Sequence, residues 1–425
     1  MKRYPLSVAV DWFYRVDKLP VAILGHGVSG KGCAHWLSNL QIPYEVFDVK
    51  GHLLKEAEVT RFAFCVYSPG FQPYHPWLKW FYRANIPTIA ELDFTALFWK
   101  NPLIAVTGTN GKTSVTEALK GIFAGHGYAV QSLGNNGNVA TEALCQGIDP
   151  RSYLILEVSS FQAIRLRYLN PLCVLWTNIA EDHLTYHRSF RNYWMAKKHL
   201  VDLSLRNRGK AFVGSSVKPY LPPHPSLFVA DVLPEEDAWF QSFPLSFSRG
   251  QQENFHLIRL FCEKAGFDLG NWERCLKRFR QAPHRLTCVR VLDGKEYWND
   301  SKATNLHAVK AALDSLKDRD VYWILGGKSK GESLGNFVSL FDHYQNVRGI
   351  YFIGDVGKEL FEMFQGKSQL KAKFTYAQTL QNVFNNLPKT LLPYRLVLSP
   401  GFSSWDQYQN YEERGDYFQK LVFAL

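Results

Sequence analysis

The segment LIAVTGTNGKTSVTEALKGIF, residues 103–123, carries the strongest chemical signal in the chain: an apolar strand, a glycine-bearing turn and a helix in immediate succession. Gly108 and Gly111 let the backbone curl around a phosphate, with Thr109, Asn110 and Ser114 filling out the turn, and the N–H groups at the helix start point toward the anion. Lys112 can neutralise β- and γ-phosphate oxygens, and the Thr113 hydroxyl can ligate Mg²⁺. Val106 stands where the general phosphate-loop pattern has its first glycine, so the turn is a variant of that pattern. The ligand it suits is a nucleoside triphosphate.

A second glycine turn, Gly25-His26-Gly27-Val28-Ser29-Gly30, also follows a strand and opens a helix, and Asp48 ends the next strand. A dinucleotide fold places a ribose-binding carboxylate there, although many α/β turns use glycines for packing alone. Glu157 ends the run YLILEV, beside the phosphate turn in the expected sheet, from where a carboxylate can hold Mg²⁺ directly or through water. His183, in TNIAEDHLTYH, falls at another strand-to-loop junction, as a metal ligand or a structural histidine. Lys197, in YWMAKKHL, reads by its spacing as a solvated helix lysine. Asp300, Lys302 and Thr304, in WNDSKATNLHAV, sit at a strand-to-helix transition, where Asp300 and Lys302 face a phosphate or an attacking amine, or are simply solvated.

Such residues act together only if parallel strands bring them to one edge. Short runs rich in Val, Ile, Leu and Phe alternate with amphipathic stretches, the pattern of α/β units with buried strands. Strands are expected at 21–24, 44–49, 62–67, 103–108, 153–158, 173–178, 321–327, 350–354 and 395–401. Leu306, Val309, Leu313 and Leu316 recur at helical spacing and predict a helix with one buried face. With 425 residues the chain exceeds a single core. The punctuation divides it into an N-terminal Rossmann-like domain (1–96), a central parallel-sheet ATPase-like domain (97–281) and a C-terminal Rossmann-like α/β domain (282–425).

Composition removes several function classes. The seven cysteines are scattered, without a C-x-x-C pair, which reads as reduced thiols of a cytosolic protein and not as a disulfide framework or a zinc site. No apolar run is long enough for a membrane span, and Asp11, Arg15 and Asp17 interrupt any signal-like N-terminus. The net charge of +11 is spread along the chain with no basic block, which favours anionic small molecules over nucleic acid.

TGTNGKT, LEVSSFQ, NIAEDHLTYH, PHRL, NDSKATN and LGGKSKG occur in this order over essentially the whole chain, and together they resemble the successive signatures of the Mur ligase family. The N-terminal GHGVSG and the C-terminal LSPGFSSWDQYQNYEERGDYF are similar to those of its D-glutamate-adding member, and the recognition motif of the diaminopimelate- or lysine-adding members is not found. The resemblance implies an ATP-dependent, amide-bond-forming ligase of cytoplasmic peptidoglycan precursor synthesis, working as a monomer. ATP would phosphorylate the carboxylate of UDP-N-acetylmuramoyl-L-alanine, and the D-glutamate amine would attack the acyl phosphate.

The same resemblance implies the roles of individual residues. Lys112 and Thr113 hold the ATP phosphates and one Mg²⁺, with Glu157 as carboxylate partner. His183 helps bind a second Mg²⁺, and Lys197 matches a lysine that becomes carbamylated, making Lys112, His183 and Lys197 the catalytic set. Arg285 and Asp300 contact ATP from the third domain. Lys302 and Thr304 fall in the incoming amino acid's pocket. Lys330, Ser404 and Tyr411 grip the D-glutamate carboxylates, Tyr411 standing where Phe is usual. Val28, Ser29, Asp48 and Ser68 line the uridine diphosphate site, and Asn135 contacts the sugar or its phosphate. Thr185 replaces an acidic residue, Gly250–His256 departs from the adenine-side pattern, and Lys328 adds positive charge near the glutamate site. A hinge near 281–284 is expected to bring the third domain's residues to ATP.

Three other readings compete. An NAD-dependent oxidoreductase explains the first glycine turn and Asp48 but not TGTNGKT. A phosphate-loop ATPase switch explains TGTNGKT but not the third domain. A folylpolyglutamate-type ligase shares the central turn without a reason for the N-terminal one.

Overall fold

The computed structural model describes residues 11–135, 137–231, 249–278, 283–388, 390 and 392–425. Three sheets follow one another along the chain. The first contains β1 (Val21–Leu24), β2 (Tyr44–Phe47), β3 (Cys65–Tyr67) and β4 (Thr88–Ala90) in the order β2-β1-β3-β4. The second contains β5 (Leu103–Thr107), β6 (Val130–Gly134), β7 (Tyr153–Glu157), β8 (Cys173–Trp176), β9 (Lys210–Gly214) and β10 (Leu227–Ala230), in the order β10-β9-β8-β5-β7-β6. Every pairing in these two sheets is parallel.

The third sheet contains β11 (Thr287–Leu292), β12 (Lys295–Asn299), β13 (Val321–Gly326), β14 (Val347–Ile353), β15 (Lys373–Gln378) and β16 (Arg395–Gly401). Its order is β11-β12-β16-β13-β14-β15, parallel except for the β11–β12 hairpin. The fold is thus α/β with three parallel-sheet regions, as the alternation of runs predicted.

All nine expected runs contain strands. Of these strands, β1, β3, β5, β8 and β16 are buried at every residue, because helices cover both faces of a parallel sheet. In the third sheet one face packs Trp323, Leu325 and Val397 with Val309 and Leu313, and the other packs Ile324, Leu396 and Leu398 with Phe418 and Val422. The helix Leu306–Ser315 follows its predicted periodicity, and its first turn is capped by the Asn305 side chain, which accepts the Ala308 N–H. Burying an aliphatic side chain such as Val309 or Leu313 contributes about 1.5–3 kcal/mol.

The chain forms two compact units. One takes the described residues up to Ile179, 191–231 and Glu253–Arg278, and so holds the first two sheets; the other takes Ala180–Phe190, 249–252 and the described residues after Arg278. Of the expected hinge and domain boundary, positions 281 and 282 lie outside the described residues. No described helix is long and apolar enough to cross a membrane.

Candidate active site

The phosphate turn leaves β5 at Gly108, whose φ is +152° and whose added Cβ would stand 1.9 Å from Thr177 Oγ1. Gly111 (φ +81°) then opens the helix Lys112–Gly125 with no side-chain cap of its own, at the kind of helix start whose N–H groups suit an anion. The neighbouring strand holds the turn in shape from below. Thr109 N–H donates to Asn178 O (3.0 Å), Asn110 N–H to Asn178 Oδ1 (2.9 Å), and Thr177 Oγ1 and Asn178 Nδ2 both donate to Asn110 O. Thr113 and Ser114 follow in the helix's first turn, partly exposed.

Two ammonium groups converge on this turn. Lys112 Nζ donates to Gly108 O (3.0 Å) and Thr109 O (2.9 Å), while Lys197 Nζ donates to the same Gly108 O (2.8 Å) and lies 4.9 Å from the centre of the Tyr193 ring. Lys197 is 1% exposed. Spacing alone makes it a solvated lysine; the helix Phe190–Arg206 instead turns its apolar face, with Tyr193, Ala196, Leu200 and Lys197, into the protein. A buried ammonium next to a phosphate turn is suited to function, because desolvation makes charge expensive unless it is used.

Glu157 ends β7 beside this turn and is 2% exposed. Its Oε1 accepts from Asn135 Nδ2 (3.0 Å), and its Oε2 is buried with no hydrogen-bond partner among the described residues. An unpartnered buried carboxylate oxygen is costly, and a hard divalent cation would satisfy it. Glu157 therefore fits as a ligand of Mg²⁺. Asn135, expected near the sugar, here orients Glu157.

At the first sheet, the Asp48 carboxylate accepts the His26 N–H (2.8 Å) and the Lys50 N–H (3.0 Å). Those two bonds hold its pKa below the usual carboxylate range, so Asp48 shapes the glycine turn itself. Ser68 Oγ is buried without a partner among the described residues, directly beneath Gly25. Val28 is 70% exposed at the helix start, next to the partly exposed Ser29. These four residues share one end of the first sheet, apart from the phosphate turn, which belongs to the second.

The second unit assembles a different group. Lys330 Nζ, 8% exposed, donates to Asp182 Oδ1 (2.8 Å) and reaches Thr304 Oγ1 at 3.5 Å. Asp182 also accepts from Asn305 Nδ2 and lies 3.7 Å from His183 Nε2. Burial pushes the Asp182 carboxyl up, but the Lys330 and His183 charges and these hydrogen bonds outweigh it and hold it at about 2. His183 is left-handed (φ +54°) at the start of a short helix, and it borders a cavity of about 260 Å³ with Leu184, Leu306, Lys330 and Phe337. Thr185, in place of the acidic residue, donates its N–H to Lys330 O.

Asp300 is also buried, not solvated. Burial drives its carboxyl up to about 7, against hydrogen bonds from Ser399 Oγ (2.7 Å) and the Leu286 N–H (3.0 Å) and the Arg285 charge. Arg285 sits between His284 (φ +62°) and Leu286 (φ +44°), two left-handed residues whose backbone conformation is unfavourable unless the surroundings impose it. Lys302 Nζ stacks 3.6 Å from the Tyr411 ring centre, where tyrosine offers the same cation-binding face as phenylalanine. Ser404 is buried.

Sequence reasoning passed over Asn178, Asp182 and Asn305. Asn178 and Asp182 sit inside the quoted run TNIAEDHLTYH and Asn305 inside WNDSKATNLHAV, where only the histidine, the lysine and their neighbours looked chemical; their roles depend on partners more than sixty residues away.

A family description, the Mur ligase middle domain, matches residues 106–218, which contain the phosphate turn, Glu157, His183 and Lys197. A UDP-N-acetylmuramoylalanine--D-glutamate ligase of Thermosynechococcus vestitus is 30% identical, covering 85% of this chain and 84% of its own length. The chain belongs to the Mur ligase family. It is an ATP-dependent enzyme that forms an amide bond, and the oxidoreductase and switch readings fall away. A ligase of the same name from Leuconostoc mesenteroides is 28% identical over 94% of this chain and 96% of that one. The structure of a Thermotoga maritima MurF ligase in complex with ADP shares the fold, with a TM-score of 0.58 at 13% identity, covering 98% of this chain and all of that one.

Proposed function

We propose that this Mur ligase joins D-glutamate to UDP-N-acetylmuramoyl-L-alanine in the cytoplasm, as a monomer, with ATP converted to ADP and phosphate. The observation that carries this reading is the convergence of Lys112 and Lys197 on Gly108 O beside the partnerless oxygen of Glu157. The Lys112 cation and a carboxylate oxygen without a partner among the described residues, both at a glycine turn, suit a polyphosphate and its metal, and relatives across nearly the full chain bear this activity in their names.

In this reading the residues act by placement and charge. The glycine turn and Lys112 orient the triphosphate, and Lys112 neutralises charge developing on the transferring phosphoryl group. Thr113 and Glu157 would hold Mg²⁺, which would supply further neutralisation of the phosphate oxygens, and His183 would be the candidate ligand of a second ion. Val28, Ser29, Asp48 and Ser68 hold the uridine diphosphate, and Asn135 contacts the sugar or its phosphate. The substrate carboxylate takes the γ-phosphoryl group and ADP leaves. The amine of D-glutamate, held by Lys302, Thr304, Lys330, Ser404 and Tyr411, then attacks the acyl carbon and phosphate departs. Arg285 and Asp300 engage ATP from the third sheet. Lys197, after giving up its ammonium proton, adds CO₂ and releases a second proton to form a carbamate in the working enzyme, which turns a buried cation into an anionic oxygen ligand for a hard metal.

The decisive assay measures phosphate release with UDP-N-acetylmuramoyl-L-alanine against D-glutamate, L-glutamate and meso-diaminopimelate, with a folate acceptor in a parallel arm. Turnover is expected with D-glutamate alone. Turnover with the folate acceptor, or with diaminopimelate in preference to D-glutamate, would move the chain to another branch of the family.

A further inference from the structure

Away from the phosphate turn, the helices Val28–Asn39 and Ala140–Gln146 pack against each other at unusually close range. Gly32 makes the approach possible, since a Cβ there would stand 2.7 Å from Thr141 Oγ1. Within one turn of this contact on each helix lie groups with metal-ligand chemistry. His35 is three residues after Gly32, and Glu142 and Cys145, three apart on a common helix face, follow Thr141. His35 Nδ1 is 3.3 Å from Glu142 Oε1, and one ligand atom from each of His35, Glu142 and Cys145 falls within 4.8 Å of the others. Among the described residues this is the one trio of histidine, cysteine and carboxylate side chains so gathered.

We propose that His35, Glu142 and Cys145 form a three-ligand site for a thiophilic divalent cation of the zinc class, clipping the helix after the first glycine turn to the helix after β6. The donor set decides the metal. A thiolate and an imidazole with one carboxylate suit Zn²⁺ and its analogues, and exclude Mg²⁺ and Ca²⁺, which take oxygen donors. Zinc–donor bonds of about 2.0–2.3 Å need the three atoms roughly 3.5 Å apart. The required contraction is within reach, because the His35 and Glu142 side chains are 51% and 41% exposed and free to change rotamer, while the backbones are fixed by the Gly32 contact. Water completes the fourth position. On binding, the Cys145 thiol, now donating to Thr141 O, gives its proton to the buffer as the sulfur–metal bond forms. The seven cysteines show no paired spacing, which is why this arrangement is invisible in the sequence: its ligands come from helices over a hundred residues apart.

The test is titration of the tag-free full-length chain with Co²⁺, followed by its thiolate-to-cobalt charge-transfer absorption and the visible bands of tetrahedral cobalt. One equivalent is expected to develop both, with Zn²⁺ displacing it and raising the melting temperature. Cys145→Ser should lose the charge-transfer band, His35→Ala and Glu142→Gln should weaken binding tenfold or more, and Cys288→Ser, at the exposed thiol, should change nothing. His35 is exposed, so His35→Ala carries the test even if Cys145→Ser fails to fold. Absence of the charge-transfer band in the wild type, its survival in Cys145→Ser, or undiminished affinity in His35→Ala overturns the proposal.

Discussion

At the residue scale, the glycine turn proposed to hold the phosphates has two ammonium groups on one carbonyl, so that removing one leaves the other in place. Lys112 Nζ donates to two carbonyls of its own turn, and one of them, Gly108 O, keeps the Lys197 ammonium as a donor when Lys112 is removed. Lys112→Ala should therefore fold normally by circular dichroism yet lose phosphate release by about 10²–10³-fold or more, the usual loss for a donor aimed at developing charge. Near-normal turnover would sink the mechanism. Lys197→Ala should be inactive and partly recover with added short carboxylates, which restore an anionic oxygen where the carbamate would stand; wild-type rates without rescue would show that no carbamate is needed. The Lys330–Asp182 pair behaves differently, because both partners are buried. Lys330→Ala leaves a carboxylate without its cation, and breaking such a pair costs about 3–5 kcal/mol. Adding Asp182→Asn to Lys330→Ala should return much of that loss in urea unfolding, whereas equal destabilisation of single and double variants would mean that the pair is not coupled.

At the element scale, one short helix shows how polar groups join the segments of the first unit. The helix Glu91–Ala96 follows β4, and five of its six residues are buried, including both carboxylates. Asp93 accepts the N–H groups of Arg167, Tyr168 and Leu169, and Glu91 accepts from Thr141 Oγ1 (2.8 Å). Asp93→Ala strands those three donors at about 1 kcal/mol or more apiece, so a drop of roughly 3 kcal/mol in unfolding free energy is expected, with Asp93→Asn intermediate because it keeps one acceptor oxygen. A change below about 1 kcal/mol for the alanine variant would show that water replaces Asp93 easily.

This helix also marks the limit of legibility. Continuous apolar runs such as LIAV and RLVL announced their strands, since a strand buried on both faces has little choice of residue. The strands β4, β9, β10 and β15 are short or peripheral, with partly exposed positions, so their composition does not separate them from loops. The phosphate turn was readable because its geometry demands glycines and a lysine at fixed spacing. The burial of Lys197, Asp182, Glu91 and Asp300 was not, because each is stabilised by groups distant in sequence, and an isolated charged residue looks the same whether it is solvated or enclosed.

At the scale of the whole molecule, the enclosed carboxylates set how stability responds to pH. Burial raises Glu91 to about 7, Asp93 to about 6 and Asp300 to about 7, well above their unfolded values of about 4. The native chain thus binds more protons than the unfolded chain between those limits, and stability falls as pH rises through the folded values. Asp182 and Asp314, both held at about 2, act oppositely, but their contribution is complete above about pH 4 and adds no slope higher up. His75 and His307, lowered by burial, favour the native state as pH rises, an effect that saturates just above the free imidazole value of about 6.5. Between roughly pH 6.5 and pH 7.3 the carboxylates give the largest slope, so the ligand-free melting temperature should decline across that interval, while at higher pH the cysteine thiols, all raised, add a decline of their own. The double variant Glu91→Gln, Asp300→Asn retains the shape and an acceptor at each site, so calorimetry should find its decline largely abolished; a wild-type melting temperature that is flat or rising over the same range would mean that these two carboxyls are already ionised in the folded protein.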